Sequence, residues 1–118
     1  MNPSLKQIVL LLCTMGLFCA HQLVFAQTYR LHADTWARPR TGETLLEMPE
    51  IRQLMQQWHK TPERVIEIHY PGGEQGMLWA QELRDWLVSL GVPSAQIKTL
   101  VGHVAADSVD MLIHTAKE

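Results

Sequence analysis

Apolar and polar residues alternate in three stretches after position 27, which predicts three strands, and a fourth short strand is predicted just before Gly102. A period of two residues places successive side chains on opposite faces of a sheet. The predicted strands are Thr28–Ala33, Arg64–Tyr70, Ile97–Val101 and Val109–His114. Leu112 makes the last of them apolar on part of both faces, which indicates a central position in the sheet.

Two further stretches have the helical spacing of apolar residues. The first helix is predicted to begin at Pro49, since proline suits the first helical position, and to end before Thr61-Pro62. Its apolar stripe is Ile51, Leu54, Met55 and Trp58. The second helix is predicted over Glu74–Leu90 and stops at Gly91. Its stripe is Trp79, Leu83, Trp86, Leu87 and Leu90.

The predicted order of elements is therefore β-α-β-α-β-β. Two βα units favour parallel strand pairing through right-handed crossovers. The expected fold class is α+β, a two-layer α/β sandwich in which both helices cover one face of a mixed sheet. Between the first strand and the first helix, Asp34–Glu47 is expected to be a polar surface loop, since it contains Pro39 and Gly42.

The first 26 residues predict an export signal. One cation, Lys6, precedes an almost wholly apolar zone over Ile8–Ala20, and Val24-Phe25-Ala26 provides acceptable residues before a cut. A cleaved signal at 1–26 leaves a single domain at 27–118 in the periplasm. A retained anchor is the alternative, but the apolar zone is about 13 residues long, whereas a membrane span needs roughly 20.

Both cysteines, Cys13 and Cys19, lie within this signal. Leu12 and Phe18 precede them, where a lipoprotein signal has a small residue, so lipid attachment is disfavoured. The mature chain then has no cysteine, which excludes a thiol nucleophile, a disulfide framework and a thiolate metal site. A disulfide-free exported domain with no stable membrane span favours the bacterial periplasm.

The charge of the mature domain is low and evenly distributed. Of 10 Lys+Arg and 12 Asp+Glu in the chain, the signal removes only Lys6, so 9 cations and 12 anions give a net charge of −3. The two signs are interspersed without runs. This pattern indicates neither a nucleic-acid face nor a polybasic membrane patch, so we expect no nucleic-acid partner.

The turn Tyr70–Gly76 is the most distinctive candidate site. It joins a strand end to a helix start, where glycines let backbone N–H groups converge on an anion. It has neither the dinucleotide nor the P-loop spacing, and Glu74 would repel an anion. A plain structural turn is the favoured alternative.

No catalytic or metal motif is recognisable. The predicted strands carry His32, His69 and His114, which would approach one another across a sheet, but isolated strand histidines are usually hydrogen-bonded or surface residues. No serine has a nucleophile-elbow context. We therefore expect a non-enzymatic protein with no cofactor and no metal.

Trp79 and Trp86 lie seven residues apart on one face of the second helix. Helical periodicity favours core packing for both. An aromatic partner-binding surface is the alternative, since exposed tryptophans often anchor interfaces.

The stretch Arg64–Ile97 resembles the middle of an OmpA-like periplasmic domain. The shared features are a strand ending in His69, a glycine-containing turn and a helix ending in Trp86-Leu87-Val88-Ser89-Leu90 before Gly91-Val92-Pro93. The resemblance implies that fold, in a divergent and truncated form. The family holds the diaminopimelate of peptidoglycan with an Asp after the strand and an Arg in the helix. Here His69-Tyr70-Pro71 offers no Asp, and Leu78 or Trp79 stands near the place of the Arg.

The stretch Tyr70–Val92 also looks like small exported proteins of integrating conjugative elements. That resemblance implies an accessory protein of a conjugative DNA-transfer, type IV secretion-like system, acting by contact with other envelope or transfer-apparatus proteins. The expected contact surfaces are the Tyr70–Gly76 turn and the Asp34–Gly42 loop. The alternative function is a peptidoglycan- or glycan-binding envelope module. The candidate ligand-binding residues are His69, Tyr70, Gly72, Gly73 and Arg84.

Overall fold

The computed structural model describes residues 26–114, which contain helices and one four-stranded mixed sheet. The predicted signal, 1–26, lies outside these residues except for Ala26, where the first strand begins. The strands are β1 (Ala26–His32), β2 (Ile66–Tyr70), β3 (Ile97–Val101) and β4 (Ser108–His114). The helices are α1 (Ala33–Trp36), α2 (Gly42–Glu47), α3 (Pro49–Lys60) and α4 (Glu74–Ser89). The predicted α+β class is confirmed.

The spatial order of the strands is β1-β4-β2-β3. β3 pairs with β2 in parallel, as the βα unit predicts, and α4 makes the crossover. β1 and β2 are not neighbours, because β4 lies between them and runs antiparallel to both. The central position of β4 agrees with its burial: five of its seven residues are buried, namely all those from Ser108 to Ile113 except Leu112.

One apolar core lies between the sheet and the two long helices. Ile66 and Ile68 face it from β2, and their ladder partners Ile113 and Met111 continue the same face on β4. The α3 residues in the core are Ile51, Leu54, Met55 and Trp58, as predicted, and those of α4 are Ala80, Leu83 and Leu87. Trp79 and Trp86 are only partly buried and pack against this core from outside. The two tryptophans therefore pack against the core, as predicted, but at its margin and not in its centre.

The segment predicted as a polar loop is largely helical, and the predicted element order lacked its two short helices. The hydroxyl of Thr41 accepts from the N–H of Thr44, and the Thr44 hydroxyl accepts from the N–H of Thr41, which closes a capping box at the start of α2. Trp36 and Leu45 are buried and draw the segment onto the core. Its few apolar residues form two separate pairs, at 36–37 and 45–46, and show no helical periodicity, so tertiary packing decides this segment.

The phenol of Tyr29, on β1, is expected to make the stability of the domain depend on pH in the alkaline range. Burial raises the pKa of its phenol above the ordinary value, and the charge of Arg64 offsets part of that rise. The protonated phenol therefore adds stability that is complete below about pH 10 and is lost as the pH rises through the folded-state pKa. We expect the free energy of unfolding of a Tyr29→Phe variant to fall less steeply above pH 10 than that of the parent protein. Parallel urea-denaturation curves against pH would contradict this role of Tyr29.

Candidate functional site

The connections that follow three strands meet at one edge of the sheet. β1 and β2 both run antiparallel to β4, and β3 runs parallel to β2. These three strands therefore point the same way, and their carboxyl ends lie together beside the start of β4. Ligands of open α/β sheets usually bind outside such carboxyl ends. A cleft of about 370 Å³ lies here, and we name it the carboxyl-edge cleft. Its principal lining residues are Trp36, Arg40, Pro71, Gly76, Trp79 and Glu82.

Two indole rings form one wall of the cleft. The ring centroids of Trp36 and Trp79 are 6.3 Å apart, and the ring planes differ by 25°. Trp36 is buried, whereas Trp79 is half-buried. The guanidinium carbon of Arg40 lies 4.5 Å from the centroid of the Trp36 ring, within the range of a cation–π interaction. The ring of Trp36 is thus covered by the guanidinium of Arg40, which belongs to the same Asp34–Gly42 segment.

An ion pair fixes this wall to α4. The guanidinium of Arg40 donates from Nε to Glu82 Oε1 at 2.8 Å, and its Nη2 lies 2.6 Å from the same oxygen. Arg40 also donates to the main-chain carbonyl of Trp36. These contacts cancel the two charges that line the cleft. They also hold the segment after α1 against the helix, so that the cleft has a defined shape.

Trp79 carries a buried donor without a partner. Its Nε1 makes no hydrogen bond to any residue within 26–114, whereas the Nε1 of Trp58 donates to the carbonyl of Arg64 at 3.1 Å. An unpaired buried donor costs roughly 1–3 kcal/mol. Trp79 is therefore the cleft residue whose hydrogen bonding is incomplete in this fold.

The turn before α4 brings the backbone unusually close to the helix. A Cβ atom on Gly76 would lie 1.8 Å from the carbonyl oxygen of Pro71, so only glycine fits there. Gly73 precedes the helix with φ +97°, a left-handed conformation that favours glycine. Gly72 and Gly73 themselves are exposed and do not line the cleft.

The sheet face opposite the helices is polar. Arg30 donates from Nε and Nη2 to the two carboxylate oxygens of Asp110, at 2.8 and 3.1 Å, and Asp110 is buried. The side-chain hydrogen bond and the charge of Asp110 raise the pKa of Arg30. Glu67 Oε2 lies 2.6 Å from His114 Nε2 and 4.0 Å from His69 Nε2. This face thus holds one Arg–Asp ion pair and one carboxylate that lies between two histidines.

The predicted ligand-binding residues do not assemble into one site. His69 lies on the open sheet face, whereas Tyr70 packs against the core on the helix side, and α4, which carries Arg84, covers that same side. Gly72 and Gly73 stand in the turn at the sheet edge. His69 and Arg84 are therefore separated by the sheet and cannot hold one small ligand together.

The strand histidines also separate. His69 and His114 both flank Glu67, but His32 lies beside β4 at its other end, with its Nδ1 at 3.2 Å from the hydroxyl of Ser108. Among the described residues, no three His, Cys, Asp or Glu side chains lie close enough to hold a metal ion.

The two segments expected to be contact surfaces do meet. The Asp34–Gly42 segment supplies Trp36 and Arg40 to the carboxyl-edge cleft, and the Tyr70–Gly76 turn supplies Pro71 and Gly76. No sequence motif marks Trp36, Arg40 or Glu82 as site residues. A lone tryptophan in a polar stretch was the one available signal, because an isolated large aromatic residue usually packs against something.

A second cavity, of about 310 Å³, is lined only by residues between Thr35 and Pro49. Only one chain segment therefore forms this cavity, whereas four separate parts of the fold form the carboxyl-edge cleft: residues 33–40, the turn at 71, α4 and the loop at 106. The carboxyl-edge cleft is therefore the stronger candidate for recognition.

The fold and the cleft define a small α+β domain with an aromatic recess at the carboxyl edge of its sheet. Comparison with models of known protein families finds no match, and comparison with curated proteins finds no significant match either. Within residues 26–114, no helix has both the length and the apolar character that crossing a membrane requires.

Proposed function

We propose that this chain is an exported, non-enzymatic accessory protein of a conjugative DNA-transfer, type IV secretion-like system. It acts in the periplasm by protein–protein contact, and the carboxyl-edge cleft is the contact surface. The predicted export signal and the Tyr70–Val92 resemblance supply the cellular context of this proposal. A divergent OmpA-like origin of the domain belongs to the same proposal.

The observation that carries the contact role is the apolar rim of the cleft. Leu78, near the start of α4, is 55% exposed and lines the cleft beside Trp79, whereas its exposed chain neighbour Met77 does not line the cleft. Exposed apolar side chains around an aromatic recess are typical of protein-binding sites, in which Trp and Arg often supply most of the binding energy. Such a surface fits an apolar side chain of a partner protein.

The chemistry of the cleft supports binding over catalysis. Its described lining residues include neither a histidine nor a hydroxyl or thiol nucleophile. Its two charged side chains, Arg40 and Glu82, neutralise each other. A general acid or base needs a free titratable group within reach of the substrate.

A peptidoglycan- or glycan-binding module is the second candidate. The half-buried Trp79 ring favours it, since ligand pockets combine aromatic walls with a few polar groups. The separation of His69 from Arg84 weighs against it. We expect no retention of the purified protein on peptidoglycan sacculi, and specific retention would favour this second candidate over the first.

Leu78→Lys is expected to impair DNA transfer. The substitution places a cation at the mouth of an apolar recess, where a partner would have to desolvate it. We expect the variant to bind its partner about tenfold or more weakly, a loss of about 1.4 kcal/mol of binding free energy, and the mating frequency of a donor strain carrying it to fall. The measurement is a quantitative mating assay in a strain whose own copy of the gene is deleted.

Val88→Lys is the matched control for this assay. Val88 lies on the same helix and is 40% exposed, but it does not line the cleft. Exposed substitutions of this kind usually change stability by less than about 0.5 kcal/mol, so both variants should accumulate normally. Equal mating frequencies for the two variants would remove the cleft from the proposal. An unchanged mating frequency on deletion of the gene would remove the transfer role itself.

A further inference from the structure

The outer edge of β3 is unpaired and unusually exposed. β3 pairs with β2 on one side only, and the four residues from Lys98 to Val101 are all exposed. Leu100 and Val101 are 42% and 60% exposed, and Val101 is the most exposed large apolar residue in the described part of the chain. β1, the other edge strand, has no such residue. Natural proteins usually protect an exposed apolar edge of this kind, or use it for pairing.

We propose that two copies of this chain associate through β3, joining their sheets across a two-fold axis. A two-fold axis perpendicular to the sheet makes the two β3 strands antiparallel. Every free N–H and C=O along the edge then gains a partner from the second copy. This surface is separate from the carboxyl-edge cleft, so the inference does not depend on the proposed function.

The sequence of β3 is self-complementary in the register centred on Thr99. In that register Thr99 faces its own copy, Lys98 faces Leu100, and Ile97 faces Val101. Thr–Thr pairs are favourable across antiparallel strands, whereas like charges directly opposite are unfavourable. No charge faces a like charge here, because the two Lys98 side chains each stand opposite a leucine, whose apolar surface can cover their methylene stems.

The two faces of the joined sheet are also compatible. Ile97 is buried on the helix side of the sheet, so Thr99 and Val101 lie on that side and Lys98 and Leu100 on the open side. Val101 of each copy therefore extends the apolar surface around Ile97 of the other. The most exposed apolar side chain of the described domain would be covered by this pairing.

The size of the edge limits the strength of the dimer. β3 has five residues, and a pair of such strands buries less than the roughly 1,200–2,000 Å² of a standard interface. We therefore expect a concentration-dependent dimer that dissociates on dilution. Lys98 favours the same outcome, since a lysine on an edge strand opposes pairing at that edge and so weakens the dimer.

The test uses two opposite charges at one position. In the proposed register, Leu100→Lys places a second cation opposite Lys98, and Leu100→Glu places an anion there. Sedimentation velocity over a range of concentrations measures the monomer–dimer equilibrium of the parent protein and of both variants. We expect Leu100→Lys to raise the dimer dissociation constant about tenfold or more, and Leu100→Glu to leave it unchanged or lower it.

Val88→Lys serves as the control, because it replaces another exposed apolar residue that lies on α4 and not in β3. We expect it to leave the dissociation constant as in the parent protein. Leu100 is exposed, so its variants should keep the parent far-UV circular dichroism spectrum. A parent protein that stays monomeric at every concentration would overturn the proposal. A dimer that responds equally to Leu100→Lys and Leu100→Glu would overturn the Thr99-centred register and, with it, the proposed pairing.

Discussion

Gly76→Ala is expected to destabilise the domain by about 3 kcal/mol, the upper part of the usual range for overpacking. The added Cβ would lie 1.8 Å from the carbonyl oxygen of Pro71 and 2.8 Å from its carbonyl carbon. Both atoms belong to the backbone, so a side-chain rotation cannot relieve the overlap. The turn and the first part of α4 must move apart.

The sign of this effect is diagnostic, because alanine normally stabilises a helix. In an open helical position, replacing glycine by alanine gains up to about 1 kcal/mol. Gly42→Ala is the matched control, since Gly42 begins α2 and an added Cβ meets nothing within 4 Å. We expect this control to be neutral or more stable by about 0.4–1 kcal/mol. The two free energies of unfolding are measured by urea denaturation, and equal values would contradict the close approach at Gly76.

Gly76 also connects stability with the candidate site. Pro71 and Gly76 both line the carboxyl-edge cleft, and their contact fixes the distance between the turn and α4. A variant that separates them alters the recess in which Trp79 lies. A loss of partner contact in Gly76→Ala would therefore reflect the shape of the cleft as well as the lower stability of the domain.

The elements with strong periodicity could be predicted from the sequence. The stripe from Ile51 to Trp58 gave the buried face of α3, and the limits of β3 were predicted without error. The apolar Leu112 indicated that β4 is central, which is confirmed by its position between β1 and β2. These features depend on local patterns, which a single sequence displays directly.

The composition of the cleft could not be predicted in the same way. Arg40 and Glu82 are 42 residues apart, and their ion pair depends on how the segment after α1 returns to α4. The segment ends at a capping box in which Thr44 takes the place of the usual Glu or Gln. Long-range pairs of polar residues leave no periodic signal, so the sequence identified the segments that meet but not the side chains that join them.

The predicted ligand set failed to assemble for a related reason. His69 and Tyr70 are consecutive in the chain, and alternation along β2 sends their side chains to opposite faces of the sheet. Nearness in sequence suggested a common site at the Tyr70–Gly76 turn. Arg84 lies on the helix side of the sheet, whereas His69 lies on the opposite face beside Glu67 and His114.

Trp58→Ala is expected to have the largest effect of any single substitution considered for this domain. Trp58 is 4% exposed and lies in the main core, where truncation of a large aromatic residue costs about 3–5 kcal/mol. Small domains are stable by only about 5–15 kcal/mol, so this loss would leave the protein close to unfolding. Trp58 also donates to the carbonyl of Arg64 and so holds the connection between α3 and β2.

Two companion variants separate these contributions. Trp58→Phe keeps most of the apolar volume and gives up only the donor, and the side chain of Gln96 still donates to the Arg64 carbonyl at 3.1 Å. We therefore expect Trp58→Phe to be clearly less damaging than Trp58→Ala. Trp86→Ala removes a half-buried indole from the margin of the core and should cost about 1–2 kcal/mol. Guanidinium denaturation followed by circular dichroism gives the three values, and a Trp86→Ala variant as unstable as Trp58→Ala would place the centre of the core at α4 instead of α3.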